Sequence, residues 1–319
     1  MGNDMSRKRI LLSGLGGSLF PYLHNKLKET YDVYYVDADA SLKELYPDYN
    51  FFPAPLVTDP SYPSFIKELV ATYSIELYAP LIDEEIEIAH DIQEQIPSLN
   101  LLSPKRDFCR LAMRKDLLMK ALAEHGISSI ATWTGDKFTW KDGIYFVKPI
   151  SGRGSRGIRK ITSEEELNAY YLLEKYHPAE ILVQECIEGQ EYTVGVLINK
   201  TDDIILLSSR KILKKKGITI KAVTEQNTII NEAVRKINDC LKPKGPINVQ
   251  LYITSAGEVK IFEINPRFST TTIMSYEAGI DEIGLWLGHY DTHYEGSVIT
   301  PDDGLILHRR WENVFYGQE

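Results

Sequence analysis

The sequence predicts an α/β chain in which an open parallel sheet comes first and a mixed α+β part follows. Three observations predict it. Short β-runs and helical runs alternate from Arg9 to Leu102, the pattern of a parallel sheet with helices on its faces. A strand-loop-strand with three glycines in its loop runs from Ile144 to Ile161. The stretch Pro246 to Phe268, PINVQLYITSAGEVKIFEINPRF, has two apolar-rich runs flanking Ser255, Ala256, Gly257 and Glu258, which is a β-hairpin pattern.

The bulk numbers set the frame. With 319 residues, 43% hydrophobic and 25% charged, the chain has room for two or three packed units. A net charge of −9 argues against nucleic acid or an anionic membrane as the main partner. Cys109, Cys186 and Cys240 are widely spaced without a metal-ligand pattern, as expected in a reducing cytosol. MGNDMSRKRI leads into a strand without the apolar stretch of a signal peptide, and no run of about 18 apolar residues follows. The expected location is cytoplasmic.

In the first third, Arg9 to Ser13 is a strand, Gly14 to Gly17 a turn, Leu19 to Thr30 a helix with Leu19, Leu23 and Leu27 aligned, and Asp32 to Val36 a strand ending in Asp37. This is a Rossmann-like βαβ opening, but the third glycine of a dinucleotide fingerprint is missing from its place, so a tight turn is the plainer reading. Ser64 to Thr72 and Glu84 to Gln95 are helical, with strands at Ile75 to Pro80 and Leu99 to Leu102. Asp83, Glu84 and Glu85 follow a strand end, where open sheets bind ligands, and they equally suit a first helical turn.

In the middle, Pro104 to His125 is helical and carries Lys115. The strand YFVKP ends near Lys148, and Ser151 to Gly157 follows as a glycine-rich loop with Arg153 and Arg156. No Walker ending is present, so the loop reads as a flap over phosphates. Ser163 to about Lys175 is a helix. In the strand ILVQECI, Glu185 to Ile187 offer main-chain groups and apolar contact to an adenine ring, and Glu191 beyond the turn can accept ribose hydroxyls.

The hairpin carries the sharpest pattern. A turn centred on Ala256 and Gly257 sets Gln250 opposite Glu263 and Asn248 opposite Asn265 on one face. Val249, Leu251, Ile253, Phe262 and Ile264 form the expected buried face. One carboxylate among amide oxygens suits a hard cation such as Mg2+, and Arg267 stands within reach of the anion it holds. Elsewhere, Lys214 to Lys216 read as a solvated cluster, while Arg210 and Lys221 are candidates for gripping an anion. The helix Glu225 to Leu241 is expected to bury Ile229, Ala233, Ile237 and Cys240.

Taken together, Lys115, VKPISGRGSRGI, QECIEGQEYTV, NVQLY and FEINPRF resemble the ATP-grasp superfamily, and within it the proteins similar to the carbamoyl-phosphate synthase large subunit. The resemblance spans about Leu101 to Gly288. It implies a Rossmann-like domain over residues 1–103, a small lid over 104–187 and a C-terminal subdomain with the metal site over 188–319. It implies that Lys115 and Lys148 contact ATP phosphates beneath a flap containing Gly152, Gly154 and Ser155. It also implies that Glu185 and Ile187 border adenine, Glu191 holds ribose, and Gln250, Glu263 and Asn265 carry Mg2+ or Mn2+, while Arg210 is expected at the nucleotide site from its strand placement. Arg267, with Lys148, is the implied catalytic group.

The function expected from this is an ATP-dependent ligase that activates a carboxylate as an acyl phosphate for attack by an amine-type nucleophile. Its partners are then small-molecule carboxylates and amines, neither nucleic acid nor membrane, with a homodimer as the expected assembly from symmetry alone. The alternatives are a phosphotransferase or carbamoyl-phosphate-forming enzyme of the same fold, and a nucleotide-binding regulatory protein without turnover.

Overall fold

A computed structural model describes residues 7–150 and 157–315. The first sheet has strands β1 (Lys8–Ser13), β2 (Tyr31–Asp37), β3 (Asn50–Pro53), β4 (Leu77–Ala79) and β5 (Asn100–Leu101), all parallel in the order β3-β2-β1-β4-β5. Helices α1 (Tyr22–Leu27), α2 (Leu42–Leu45), α3 (Tyr62–Tyr73) and α4 (Ile86–Gln95) connect it. Side chains alternate across a strand, so Leu11, Val36 and Tyr78 pack on α3 and α4, while Ile10, Leu12, Val33 and Tyr35 face the other way. Strand order reverses beside β1, and the loops after β1 and β4 diverge there to leave a crevice.

Helices α5 (Arg106–Met113) and α6 (Lys115–Glu124) follow, broken at Arg114, whose φ of −98° and ψ of 87° are not helical. A small antiparallel sheet has strands β6 (Thr132–Thr134), β7 (Tyr145–Pro149), β8 (Arg159–Ile161) and β9 (Ile181–Glu185), ordered β6-β9-β7-β8. Its helix α7 (Glu164–Glu174) is capped by Ser163, whose side chain accepts from the Glu166 N–H.

The large sheet has strands β10 (Gln190–Ile198), β11 (Ile204–Lys216), β12 (Ile218–Thr224), β13 (Pro246–Ile253), β14 (Val259–Asn265) and β15 (Ile306–His308) in the order β14-β13-β10-β11-β12-β15. Val194, Val196, Val249, Leu251 and Ile264 bury one face against α5, α6 and α8 (Thr228–Leu241). In α8 the buried stripe is Ile230, Val234 and Ile237, and Ile229 is exposed, so the expected face is turned by about one residue. Asn227 sets that phase by capping the helix through the Ile229 and Ile230 N–H groups.

Helices α9 (Ile273–Glu277) and α10 (Glu282–His289) return to the first sheet, where Ile273, Tyr276, Ile283 and Trp286 share one core with Ile10, Leu12 and Tyr35. That shared core holds the parallel sheet against the large one. Among the described residues, no helix is long and apolar enough to cross a membrane.

Candidate functional site

A cleft of about 870 Å3 lies where the three sheets meet. The hairpin β13–β14 forms its floor. Gln250 pairs opposite Glu263 and Asn248 opposite Asn265, the register expected from the sequence. The turn differs: Ile253 pairs with Val259 across a five-residue connection, and a bulge beside Gln250 restores the register. The bulge moves Phe262 to the cleft face, where it stacks on Tyr252 with ring centroids 4.9 Å apart, and puts Ile261 into the core in its place. The expected burial of Phe262 is therefore corrected.

Lys115 and Lys148 reach the cleft from α6 and β7. Lys115 Nζ lies 3.3 Å from Glu263 Oε1. Lys148 is 7% exposed, and its pKa is pulled down to about 8. Burial is the main cause; Glu263 opposes it, and Lys115 and Lys215 add to it.

Glu185, Ile187 and Glu191 also line the cleft. The Glu185 carboxylate accepts from the Ala131 N–H at 2.9 Å, so its side chain is turned onto the neighbouring strand. Ile130, Phe146, Ile158 and Tyr252 complete an apolar rim at this end. Gly152, Gly154 and Ser155 lie outside the described residues.

Two expectations are corrected. Arg210 does not line the cleft: it is fully buried, donating to Thr271 Oγ1 at 3.1 Å and Ser275 Oγ at 2.8 Å, with Glu282 3.5 Å away. It lies over Gly195, where a Cβ would stand 3.1 Å from its Nη1. Lys221 pairs in register with His308 and is likewise outside the cleft lining. The strand placement of both is as expected, but their side chains are directed elsewhere.

Lys215, read from sequence as part of a solvated cluster, enters the site instead. Its Nζ lies 2.5 Å from Glu191 Oε1, 3.4 Å from Gln250 Oε1 and 5.7 Å from the Phe262 ring centroid. Alternation counted from Arg210 points Lys214 and Lys216 at the cleft, but irregularities between Ile212 and Lys215 shift the register. The available signal was a run of lysines at a hairpin turn beside the binding strand.

Arg267 donates to both carboxylate oxygens of Asp83, Nε to Oδ1 and Nη2 to Oδ2, and Nη1 donates to the Phe268 carbonyl at 3.3 Å. Burial opposes its charge, but Asp83, with Glu263 and Glu84, more than offsets that and leaves its pKa raised. Asp83 thus joins the first sheet to the end of the hairpin, a role that its place in a first helical turn concealed. The glycine turn after β1 is tight, as read, and its Gly16 N–H donates to Asp37 at 3.0 Å.

The donor set can be tested against a metal. Gln250, Glu263 and Asn265 offer only oxygen, with one carboxylate, on one face. Such a set fits Mg2+ or Mn2+, which keep water and phosphate oxygens in their shells. Consistent with a mostly amide site, no group of three or more His, Cys, Asp or Glu able to hold a metal occurs among the described residues.

The family model of the ATP-grasp domain matches residues 112–271, half of the chain. The chain belongs to the ATP-grasp family. Among curated proteins it is 24% identical over 204 residues to the vancomycin/teicoplanin A-type resistance protein VanA of Enterococcus faecium, covering 56% of this chain and 59% of that one. It is 29% identical over 159 residues to a D-alanine–D-alanine ligase of Bacillus velezensis, covering 43% and 44%. The chain therefore spans about half the length of the curated relatives it matches. The fold is similar to that of a Campylobacter jejuni biotin carboxylase, with a TM-score of 0.72, 15% identity and coverage of 93% of this chain and 73% of that one. It is also similar to an L-amino acid ligase of Bacillus licheniformis, with a TM-score of 0.70, 14% identity and coverage of 89% and 74%.

Proposed function

We propose that this ATP-grasp protein is an ADP-forming ligase that joins a small-molecule carboxylate to an amine-type nucleophile. The observation that carries the reading is the floor of the cleft: Gln250, Glu263 and Asn265 on one face, with Lys115, Lys148 and Arg267 around them. Names of relatives support the same reading, since several are ligases.

In this reading the apolar rim with Ile187 takes the adenine ring, Glu185 contributes main-chain contacts, and Glu191 takes the ribose. Lys115, Lys148 and Lys215 bind phosphate oxygens. The flap residues Gly152, Gly154 and Ser155 are assigned the same task from sequence alone. Gln250, Glu263 and Asn265 hold Mg2+ or Mn2+, which neutralises phosphate charge when bound.

The ion pairs of the cleft are exchangeable partners. With ATP bound, Lys115 would pass from Glu263 to a phosphate oxygen, Glu263 would hold the cation with Gln250 and Asn265, and Lys215 would pass from Glu191 to phosphate. The first exchange keeps both charges paired, and after the second the Glu191 carboxylate accepts from the ribose hydroxyls in place of Lys215. Phosphoryl transfer then needs mainly positioning and charge compensation, supplied by Lys148 and Arg267 without a covalent protein nucleophile.

The chain's three units are proposed to divide this work: 1–103 for the acceptor, 104–187 for the lid and 188–319 for the metal floor. The cytoplasm is the proposed compartment and a homodimer the proposed assembly, the latter on general symmetry grounds. The deciding experiment measures ADP release over a library of carboxylates paired with amines, with hydroxylamine as a trap. A hydroxamate formed with one acid is the expected result. A stable phosphoester without hydroxamate would make the protein a phosphotransferase, and ATP binding without ADP release across the library would make it a regulator.

A further inference from the structure

The cleft has a basic half and an acidic half. Lys115, Lys148 and Lys215 come from α6, β7 and β11, whereas the first sheet contributes Asp37, Glu84 and Glu85. The segment after the hairpin runs between the two, with Arg267, Ser269 and Thr270 lining the cleft. Its two ends are held to different parts of the first sheet. Arg267 donates to Asp83, which follows β4. Thr270 is tied to the loop after β1, but through a third residue, Arg309.

Arg309 follows β15, the edge strand of the large sheet, and its main chain continues the pairing by donating its N–H to the Ile220 carbonyl at 2.8 Å. Its guanidinium spreads over three main-chain carbonyls. Nε donates to Thr219 at 3.0 Å, Nη1 to Ser18 at 2.5 Å and Nη2 to Thr270. Thr219 and Thr270 line the cleft, and Ser18 stands between the lining residues Gly17 and Leu19, so three separate stretches of wall meet on one side chain. A planar fork of donors fixes such acceptors in direction as well as distance, which an ammonium on a flexible stem does not.

The charge of Arg309 is a second observation. It has no carboxylate partner among the described residues, and burial alone pulls its pKa down to about 10. Arg310 beside it is exposed. A half-buried cation without a counter-charge is desolvated with only carbonyl dipoles in return, so its placement is accounted for by the three loops it joins.

We propose that Arg309 is a positioning residue for the reaction: by joining Ser18, Thr219 and Thr270 it fixes the far end of the segment that carries Arg267. The proposal rests on the ligase reading, in which Arg267 serves phosphoryl transfer, and it adds a residue from outside the matched domain, residues 112–271. Arg309 does not line the cleft itself and acts through the main chain. Without it the Thr270 end is released and Arg267 drifts, while the nucleotide contacts on the hairpin and lid remain.

The test compares Arg309→Ala, Arg309→Lys and the control Arg310→Ala in the full chain. Amide hydrogen exchange in Arg309→Ala should rise at least about tenfold over residues 14–19 and 268–272 and stay at the wild-type level in α3 and α8, with MgADP affinity by calorimetry within about threefold. With the acid and amine that ADP release selects, kcat should fall about 10- to 100-fold while KM for ATP moves less than about threefold. Guanidinium chloride at a non-denaturing concentration should restore part of that kcat and sodium chloride should not; Arg309→Lys should stay impaired, and Arg310→Ala should match the wild type. Unchanged exchange over both segments, an unchanged kcat, or exchange raised throughout the chain overturns the proposal. The ligase reading fails separately, by absence of ADP release from the wild-type chain with every pair, and the exchange pattern then still decides whether Arg309 holds these loops.

Discussion

The two halves of the cleft solve opposite electrostatic problems with the same physics. In the hairpin half, burial lowers the Lys148 pKa to about 8, and in the first-sheet half burial raises that of Glu85 to about 7. Each group is held nearer to losing its charge than it would be in water. The halves are built differently as well. The basic half stands on paired strands, whose register places Gln250, Glu263, Asn248 and Asn265 together. The acidic half is assembled from loops after separate strands, far apart in the chain. The paired hydrogen bonds of Arg267 to Asp83 help to tie them. A site on a ladder is positioned by hydrogen-bond register, whereas a site on loops is positioned by the packing beneath them.

Four tests break or sharpen this contrast, beginning with the largest effect. Lys148→Ala or Glu263→Gln removes a group from the basic half, and ADP release should fall by about 10^3-fold with an unchanged circular dichroism spectrum. Retained turnover in both would remove the hairpin half from the chemistry.

Asp83→Asn cuts the tie between the halves. Misplacing a reacting group by about 1 Å costs roughly 10^2-fold, so kcat should fall about 10- to 100-fold with a much smaller change in KM for ATP. Steady-state kinetics of Asp83→Asn beside Asp83→Glu, where the carboxylate is kept, separates orientation of Arg267 from general destabilisation.

Glu85→Gln probes the acidic half through pH. The folded-state pKa of about 7 lies above the ordinary 4.5, so the folded chain holds a proton that the unfolded chain releases in this window. The contribution is therefore fully present below pH 4.5 and is lost as pH rises through about 7, on the order of 3 kcal/mol in all. Asp37 and the hydroxyls of Ser13, Tyr62 and Tyr78 face the same carboxyl. Urea midpoints at pH 5 and pH 8 should converge in Glu85→Gln relative to the wild type; a parallel pH dependence would show that the carboxyl is ionised when buried.

The smallest effect is expected from the paired change Arg210→Met with Glu282→Gln. Removing one partner alone leaves a buried charge and costs about 3 kcal/mol or more, but removing both charges avoids that penalty. Because Arg210 contacts Thr271 and Ser275 and not the cleft, KM for ATP should stay within about threefold. A larger rise would return Arg210 to the nucleotide site.

The legible parts of the sequence are those governed by local periodicity. The alternating β and α runs of the first hundred residues, the helical stretch carrying Lys115, and the hairpin quartet all follow from periods of 2 and 3.6 and from turn residues, whereas the break at Arg114 leaves no such trace. Phe262 and Lys215 escaped because one bulge or register shift inverts which side chains face the cleft, and alternation cannot reveal it. The spacing of Ile229, Ala233, Ile237 and Cys240 puts Ile229 on the buried face, whereas the capped helix buries Ile230, Val234 and Ile237.

By itself the sequence determined the order of the elements, the polar quartet of the floor and the motifs that mark an ATP-grasp chain. Tertiary structure alone decided that Lys215 and Phe262 enter the cleft and that Arg210 leaves it for a buried pair with Glu282. It also decided that Asp83, 184 residues earlier in the chain, grips Arg267. The physical reason is the range of the forces involved. Backbone pairing and helical phase act between near neighbours and leave a periodic trace, whereas burial and charge pairing depend on which distant surface arrives, and no local pattern records that.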